Sequence, residues 1–242
     1  MPFQPPAASA RQVAGVPFDR AVDFAPAVKQ KIDAFDRRPS NRDPSKCKAL
    51  LKFPDTAAGR GAVFWSSKMG IDTDGPAAGP GHRTGSQLDP SPGIGQNTTS
   101  LTTSDSSKGI PAEAVPYIVL PLRARGANDT FDPAVAIGDM AIVIFKDKIT
   151  AAVCGDLGPP TKIGEASIHV HEALQPACPD PCSRRDSNGF CVKARNSSVE
   201  QDVLYFVFPG SAFDKSELTL ENINTKVNER AFGLYNKLRG AS

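Results

Sequence analysis

The chain has 242 residues, of which 40% are hydrophobic and 22% are charged, so it can bury a large core and has the composition of a globular domain. The formal net charge is +2 and no basic run is interleaved with aromatic residues, which argues against a nucleic-acid partner. The 22 prolines and 20 glycines favour short strands with irregular loops over a helical bundle.

The N-terminal sequence lacks the pattern of a secretory signal, because no apolar run of about seven residues follows a basic stretch. No stretch approaches the length of a transmembrane helix. The chain is therefore expected to be cytoplasmic, to be exported without a cleaved signal, or to have had its signal replaced at Met1. Residues 1–25 are rich in proline and alanine and predict a loosely ordered arm, followed by one domain over residues 26–242.

Apolar residues at helical spacing predict a short amphipathic helix over Ala27–Arg38. After the apolar group ALLKF, the segment Gly61–Asp72 predicts a strand, in which the single tryptophan, Trp65, is expected to be a core residue. The segment from Asp72 to Gly109 is rich in Gly, Pro, Ser, Thr and Asp and has almost no large apolar residue. A loop of this length is either functional or disordered.

From Val115 onward the chain contains closely spaced runs of β-branched and aromatic residues, namely VPYIVLP, AIGDMAIVIF, KITAAVCGDLG and DVLYFVFPG. These runs are bounded by glycine and proline and predict the strands of an all-β barrel or sandwich. Tyr117 and Tyr205 alternate with apolar neighbours and are expected to pack within their strands. The segment EASIHVHEALQ allows a short helix, and the apolar spacing between Ser216 and Arg239 predicts a terminal helix.

Three of the five cysteines, Cys178, Cys182 and Cys191, lie close together, while Cys47 and Cys154 stand apart. We expect a disulfide between two members of this cluster and buried free thiols elsewhere. A zinc site is the alternative, but the spacing C-x3-C-x8-C lacks a fourth ligand at a standard distance.

The segment GDLGPPTKIGEAS carries two carboxyl groups within ten positions, Asp156 and Glu165. Asp156 directly follows a predicted strand, and the turn at Gly158 and Pro159 could bring Glu165 back to the same cleft. Hydrolysis of a glycosidic bond requires two carboxyl groups, one to protonate the leaving oxygen and one to activate water or attack the sugar. Residue types alone leave structural roles open for both, because Asp is common in turns and Glu at helix starts.

Six motifs in a fixed order resemble the fungal-type endo-chitosanases of glycoside hydrolase family 75. They are KMGIDTDGP, TTSL, VPYIVLP, IGDMAIVIF, GDLGPPTKIGEAS and LYFVFPGS, and they span roughly residues 60 to 211. The fifth motif, GDLGPPTKIGEAS, is the most specific for the family, because the motifs that are only strands would be weak evidence by themselves. The resemblance implies endo-acting hydrolysis of β-1,4 bonds in chitosan by a secreted, inverting enzyme, with Asp156 and Glu165 as the catalytic pair. We assign Glu165 as the general acid and Asp156 as the base, and the reverse assignment stays open.

A more distant similarity links the chain to the double-psi β-barrels of lytic transglycosylases and some cellulases. It implies a mainly β fold, a small six-stranded barrel core with a few peripheral helices, and it does not choose the substrate.

Asp72 and Asp74 match the Asp-x-Asp-Gly element of the family, which usually has cysteine where this chain has Thr73. In a cleft that binds a polycation, these carboxylates could hold glucosamine ammonium groups, and plain turn chemistry is the alternative. Lys162 is expected to line the same site and to act on the carboxylates electrostatically. His169 and His171 have no third ligand, so we expect surface or cleft-edge histidines and no metal or other cofactor.

Two other functions stay open at this point. A glycanase that cleaves peptidoglycan could use Asp156 and Glu165 on N-acetylated sugars, and a non-catalytic carbohydrate-binding barrel could keep the motif without activity. Acidic residues along the cleft would favour chitosan, whereas apolar and amide-binding groups would favour peptidoglycan. In each case the expected partner is a polysaccharide, without nucleic acid or membrane, and the protein is expected to be a monomer.

Overall fold

The computed structural model describes residues 12–18, 20–23, 49–55, 61–121, 135–159, 162–195 and 199–240. The helix predicted over Ala27–Arg38 lies outside the described residues, as does Cys47. The strands are β1 (Gln12–Val13), β2 (Val16–Pro17), β3 (Val22–Asp23), β4 (Ala49–Phe53), β5 (Ala62–Asp72), β6 (Tyr117–Pro121), β7 (Met140–Phe145), β8 (Lys148–Gly158), β9 (Glu165–Ser167), β10 (Cys182–Arg185), β11 (Cys191–Ala194) and β12 (Val199–Phe208). The α-helices within the described residues are α1 (Gly85–Leu88), α2 (Ile168–Ala173) and α3 (Ile223–Leu238).

Six of the strands form a closed barrel in the order β5, β12, β7, β8, β6, β9 and back to β5. Strand β5 closes the ring because its residues 63–69 pair with β12, while its residues 70–72 pair with β9. The β5–β9 and β6–β8 pairs are parallel, and the β7–β8 and β7–β12 pairs are antiparallel. Strands β4 and β3 extend the sheet from β5. This architecture confirms the prediction of a mainly β fold with a six-stranded barrel and few helices.

The barrel strands are buried on both faces, which is why they read as continuous apolar runs in the sequence. Along β5, Val63 and Trp65 belong to one apolar cluster and Phe64 belongs to the other. Trp65 is fully buried and stacks on Tyr205, with ring centroids 5.1 Å apart, so the prediction of a core tryptophan is confirmed. The second cluster is covered by α3, whose buried residues are Ile223, Val227, Ala231 and Tyr235.

The segment predicted as an N-terminal arm is described at residues 12–18 and 20–23, where it forms β1, β2 and β3. Val16 is fully buried, and the ring of Phe18 packs edge-on against Phe53 and Phe64 at centroid distances of 4.9 and 5.0 Å. This part of the segment therefore contributes to the core around β4 and β5. The division into an arm and a single domain at residue 25 stays a prediction.

The cysteines follow the expected pattern where they are described. Cys182 and Cys191 form a disulfide that links β10 to β11, and Cys154 and Cys178 are buried free thiols. Of the two histidines of α2, His171 differs from the prediction, because it is buried and its Nε2 lies 3.1 Å from the carbonyl oxygen of Gly70, whereas His169 is half-buried. Among the described residues, no helix combines the length and the apolar character needed to span a membrane.

Candidate active site

A cleft of about 380 Å³ opens where β5 and β8 end and β9 begins. Its wall includes three carboxyl side chains, from Asp72, Asp74 and Glu165, and one cation, from Lys162. The apolar part of the wall comes from Ile71, Ile94, Val119, Leu157 and Pro159. The loop between Asp72 and Gly109, which contains α1, contributes Ile94 and Gln96, so this polar segment helps to form the cleft.

Asp156 reaches this region because of an irregularity in the pairing of β6 with β8. Ile118 pairs with Cys154 but Val119 pairs with Asp156, so Gly155 is an extra residue in β8. A side-chain carbon on Gly155 would lie 2.5 Å from Cβ of Tyr117, which only glycine avoids. Bulges of this kind change the direction in which a side chain points.

Three donors converge on one oxygen of Asp156. Its Oδ1 accepts hydrogen bonds from the backbone N–H of Ser100 at 3.0 Å, from the Ser100 hydroxyl at 2.6 Å and from the backbone N–H of Leu157 at 2.8 Å. Oδ2 accepts no hydrogen bond from the described part of the chain. One oxygen is thus fixed by the protein and the other is not, while the residue itself is buried beside the described residues that line the cleft.

Glu165 is the first residue of β9 and lies opposite Gly70 in the parallel pair with β5. The preceding residue, Gly164, has φ of +82°, and a side-chain carbon there would lie 2.3 Å from the carbonyl oxygen of Lys68. Only glycine fits this conformation in this space, and it allows the chain to enter β9 directly from the turn. Oε1 of Glu165 forms an ion pair with the ammonium of Lys162.

Asp72 and Asp74 lie at the end of β5 and just beyond it. Oδ1 of Asp72 accepts the backbone N–H of Asp74 at 2.7 Å, and Oδ1 of Asp74 accepts the backbone N–H of Gln96 at 2.8 Å. One carboxylate oxygen from each of Asp72, Asp74 and Asp156 lies within 4.8 Å of the other two. A group of this size could surround a small cation, whether a metal ion or an ammonium group.

The closeness of these acids changes their protonation. Burial raises the pKa of Asp72 well above its usual range, and the charges of Asp74, Glu165 and Asp156 act in the same direction. Burial also raises the pKa of Asp74 to about 7, with a contribution from the charges of Asp156 and Glu165, although the hydrogen bond from Gln96 opposes the shift. The site therefore holds fewer negative charges near neutral pH than its residue types suggest.

The hydroxyl of Tyr117 gives independent support for a proton on Asp72. This hydroxyl lies 2.8 Å from the carbonyl oxygen of Asp74 and 3.0 Å from Oδ1 of Asp72. A hydroxyl has one hydrogen and cannot donate fully to two acceptors. Both contacts are satisfied when Tyr117 donates to the carbonyl and a protonated Asp72 donates to the Tyr117 oxygen.

The structure brings together all five residues that the sequence pointed to, namely Asp72, Asp74, Asp156, Lys162 and Glu165. Two others were missed. Ser100 lies in the TTSL motif but had no assigned role, and Tyr117 was expected only to pack within its strand. Their positions in quoted motifs were the only signal, because their partners are 56 and 45 residues away in the chain.

A closed β-barrel whose cleft gathers several carboxyl groups has the chemical groups that glycosidic hydrolysis needs, and the protein is a glycoside hydrolase. Residues 69–230 match the family described as the fungal chitosanases of glycosyl hydrolase group 75. This match covers more than half of the 242 residues and includes the whole acidic cluster, so the chain belongs to that family. The resemblance seen in the six motifs is confirmed. Comparison with curated proteins gave no match.

Proposed function

We propose that the protein cleaves β-1,4 glycosidic bonds within chitosan chains by an inverting mechanism, with Asp156 as the general base and Glu165 as the general acid. The observation that carries this proposal is the way Asp156 is held. Three donors fix Oδ1, so Oδ2 is left to accept a proton from the attacking water. Family membership supports hydrolysis of a chitosan-type glycan.

In this mechanism a water molecule lies between Oδ2 of Asp156 and the anomeric carbon of the sugar. As the water attacks, its proton passes to Asp156, and Glu165 donates a proton to the departing oxygen on the opposite face of the sugar ring. The product has the inverted anomeric configuration. The base ends the cycle with a proton and the acid without one, and exchange with solvent restores both.

The acidic lining supports a cationic substrate. Asp72, Asp74 and Glu165 line the cleft, and Lys162 is the one cationic side chain among the described residues of the lining, so acidic groups outnumber basic ones there. We propose that Asp74, with Asp72 behind it, binds the ammonium group of a glucosamine unit, because a charge-assisted hydrogen bond to a partly buried carboxylate is strong. Chitosan carries such a group on each deacetylated sugar.

One observation favours a second candidate, a glycanase that acts on N-acetylated sugars such as those of peptidoglycan. Ile94 and Leu157, with exposed fractions of 58% and 40%, are among the most exposed large apolar residues described and both line the cleft. Apolar side chains of this kind could contact the methyl group of an acetamide. The two candidates share Asp156 and Glu165 and differ in the substrate.

The test is reducing-end release from chitosan, chitin and peptidoglycan by the wild type and by Asp156→Asn and Glu165→Gln. We expect activity on chitosan, and each substitution should reduce kcat by about 10²–10⁴-fold because it removes a proton-transfer group. Asp147→Asn and Glu229→Gln are matched controls on exposed carboxyl groups outside the cleft lining. Proton NMR of the first product formed reports its anomeric configuration.

Each result has a defined meaning. Cleavage of peptidoglycan but not chitosan would replace the first candidate by the second, and no activity on any glycan would contradict both. Wild-type activity in either carboxyl variant would remove that residue from the mechanism. A retained anomeric configuration would contradict inversion.

A further inference from the structure

Lys162 is the one basic residue among the described residues that line the cleft. Its side chain is 28% exposed, and its ammonium pairs with Oε1 of Glu165, whose side chain is 14% exposed. The backbone N–H of Lys162 donates to the carbonyl oxygen of Pro159, the residue after β8, at 3.0 Å. This bond helps to hold the lysine at the cleft, three residues before its partner Glu165.

The carboxyl group of Glu165 is confined by the backbone of two strands. A side-chain carbon on Gly70 of β5 would lie 3.5 Å from Oε1, and one on Gly158 of β8 would lie 3.4 Å from Oε2. The charged groups that act on the Lys162 ammonium are Glu165, in direct contact, and Asp74, whose pKa burial raises to about 7 while the lysine charge opposes the shift. The ammonium thus contacts the proposed general acid and lines the same cleft as the acidic group proposed to bind substrate.

This resting arrangement conflicts with proton donation. The lysine ammonium donates to Oε1 of an ionised Glu165, whereas a general acid has to carry a proton. The ion pair must therefore open when a glycan is bound productively. Once the lysine has left, Glu165 takes a proton, because an uncompensated carboxylate in a partly buried site is costly and a general acid has to carry a proton.

We propose that Lys162 holds the place of a substrate ammonium group, and that the ammonium of a glucosamine unit bound at Asp74 displaces the lysine from Glu165 when chitosan binds. The lysine ammonium and the ammonium at C2 of glucosamine are the same functional group, and each can donate three hydrogen bonds. The protein thereby keeps its acidic cleft neutralised when empty. A glycan without positive charge cannot replace the lysine, so Lys162 is a specificity-determining residue that favours deacetylated sugars.

The inference rests on the proposed function, since it takes Glu165 as the proton donor. It adds that the Lys162 side chain competes with the substrate. Two consequences follow. Removal of the lysine charge should strengthen binding of glycans, because no internal ammonium has to be displaced. The gain should be larger for acetylated glycans than for chitosan, since the selection against neutral sugars is lost.

The experiment measures kcat and KM for Lys162→Met, Lys162→Gln and Lys162→Arg on fully deacetylated and partly acetylated chitosan. We expect the Met and Gln variants to lower KM roughly 3–10-fold, more strongly on the acetylated polymer, with kcat changed less than KM. Lys162→Arg keeps the charge and should resemble the wild type. Lys148→Met, at a lysine outside the cleft lining and 38% exposed, is the matched control.

The results separate this inference from the proposed function. If the wild type does not cleave chitosan, the proposed function itself fails. If the wild type is active but the Met and Gln variants have an unchanged or higher KM, Lys162 does not compete with substrate and this inference is wrong. A fall in kcat at constant KM would assign Lys162 to the orientation of Glu165 and would equally overturn it. Thermal melting of each variant checks that it is folded. If Lys162→Met does not fold, Lys162→Gln still tests whether loss of the lysine charge lowers KM.

Discussion

Asp74 illustrates how the surroundings of a single side chain decide its charge. An exposed aspartate is ionised throughout the neutral range, whereas the partly buried Asp74 has a pKa of about 7. Burial is the main cause, and the charges of Asp156 and Glu165 add to it. A carboxyl group of this kind can bind an ammonium group as an anion and can also stay neutral when the cleft is empty. The protein keeps it at a cost in stability.

That cost has a defined pH dependence. The folded-state pKa of Asp74 lies above its ordinary value of 3.8, so the stability associated with this group is fully present below about pH 4 and is lost as the pH rises through about 7. Asp74→Asn keeps an acceptor for the Gln96 N–H and removes the titration. We expect its Tm to equal or slightly exceed that of the wild type near pH 4 and to exceed it by a few degrees near pH 8.

Thermal melting from about pH 4 to about pH 8 checks this prediction, with the exposed Asp147→Asn as a control that should show no such trend. The same substitution should raise KM for chitosan, because a neutral amide attracts an ammonium group less than a carboxylate does. A Tm advantage that shrinks toward higher pH would show that Asp74 is not the destabilising group.

At the scale of secondary-structure elements, the junction of β9 and α2 holds the end of the cleft together. Ser167 ends β9 and caps α2, and its buried hydroxyl accepts the backbone N–H of Val170 at 3.4 Å. The same hydroxyl donates to the carbonyl oxygen of Val115 at 2.9 Å and accepts the backbone N–H of Tyr117 at 3.1 Å. One side chain therefore connects the strand that begins with Glu165, the following helix and β6.

Ser167→Ala should lower the free energy of unfolding by about 1–3 kcal/mol, because it leaves buried backbone groups without their partner and removes a helix cap. Denaturation by urea measures this loss, and the exposed Ser187→Ala serves as the control. We also expect a lower kcat, since Glu165 and Ser167 point to the same face of β9. A variant as stable as the wild type would mean that water or a local shift satisfies these groups.

At the scale of the whole molecule, the hairpin of β10 and β11 is a separate two-stranded sheet beside the barrel. Its disulfide, Cys182–Cys191, joins residues nine positions apart and packs against Leu88, Ile168 and Ile71. None of the hairpin residues lines the cleft. The disulfide therefore stabilises the surroundings of the barrel without taking part in the proposed chemistry.

Replacing both cysteines, Cys182→Ser with Cys191→Ser, should lower the free energy of unfolding by about 2–3 kcal/mol, because the unfolded chain gains the freedom of a short open loop. Denaturant titration of the variant and of the wild type without reductant measures the loss. We expect kcat/KM for chitosan to stay within about threefold of the wild type. Complete loss of activity in a folded variant would mean that the hairpin positions the loop between Asp72 and Gly109.

The sequence predicted those features of the fold that depend only on neighbouring residues, such as single strands. Strands such as Tyr117–Pro121 and Met140–Phe145 are short apolar runs between turn residues, and a barrel buries both of their faces. The buried position of His171 was not predictable from its own segment, because it depends on the approach of β5 to α2. The closure of the ring through β5 and β12 likewise depends on residues more than 130 positions apart, such as Phe206 and Phe64.

The site was predicted by motif order and not by residue chemistry. Asp156 and Glu165 were plausible turn and helix-start residues until their motifs were placed in a series, and the family match confirms that series. The contacts of Ser100 and Tyr117 were not predictable, since they depend on the bulge at Gly155 and on how the long loop folds back. Lys162 was expected to act on the carboxylates, but its specific pairing with Glu165 is seen only in the three-dimensional structure.

The closed ring of strands also affects the tendency of the folded protein to aggregate. A sheet that closes on itself leaves few strand edges with unpaired backbone groups, and such edges are the templates for intermolecular β-pairing. Among the described strands, free edges are confined to short elements such as the two residues of β3 and the four-residue strands of the hairpin. Concentrated preparations of the folded protein should therefore resist fibril formation, and aggregation on heating would have to begin with the opening of the β5–β12 seam.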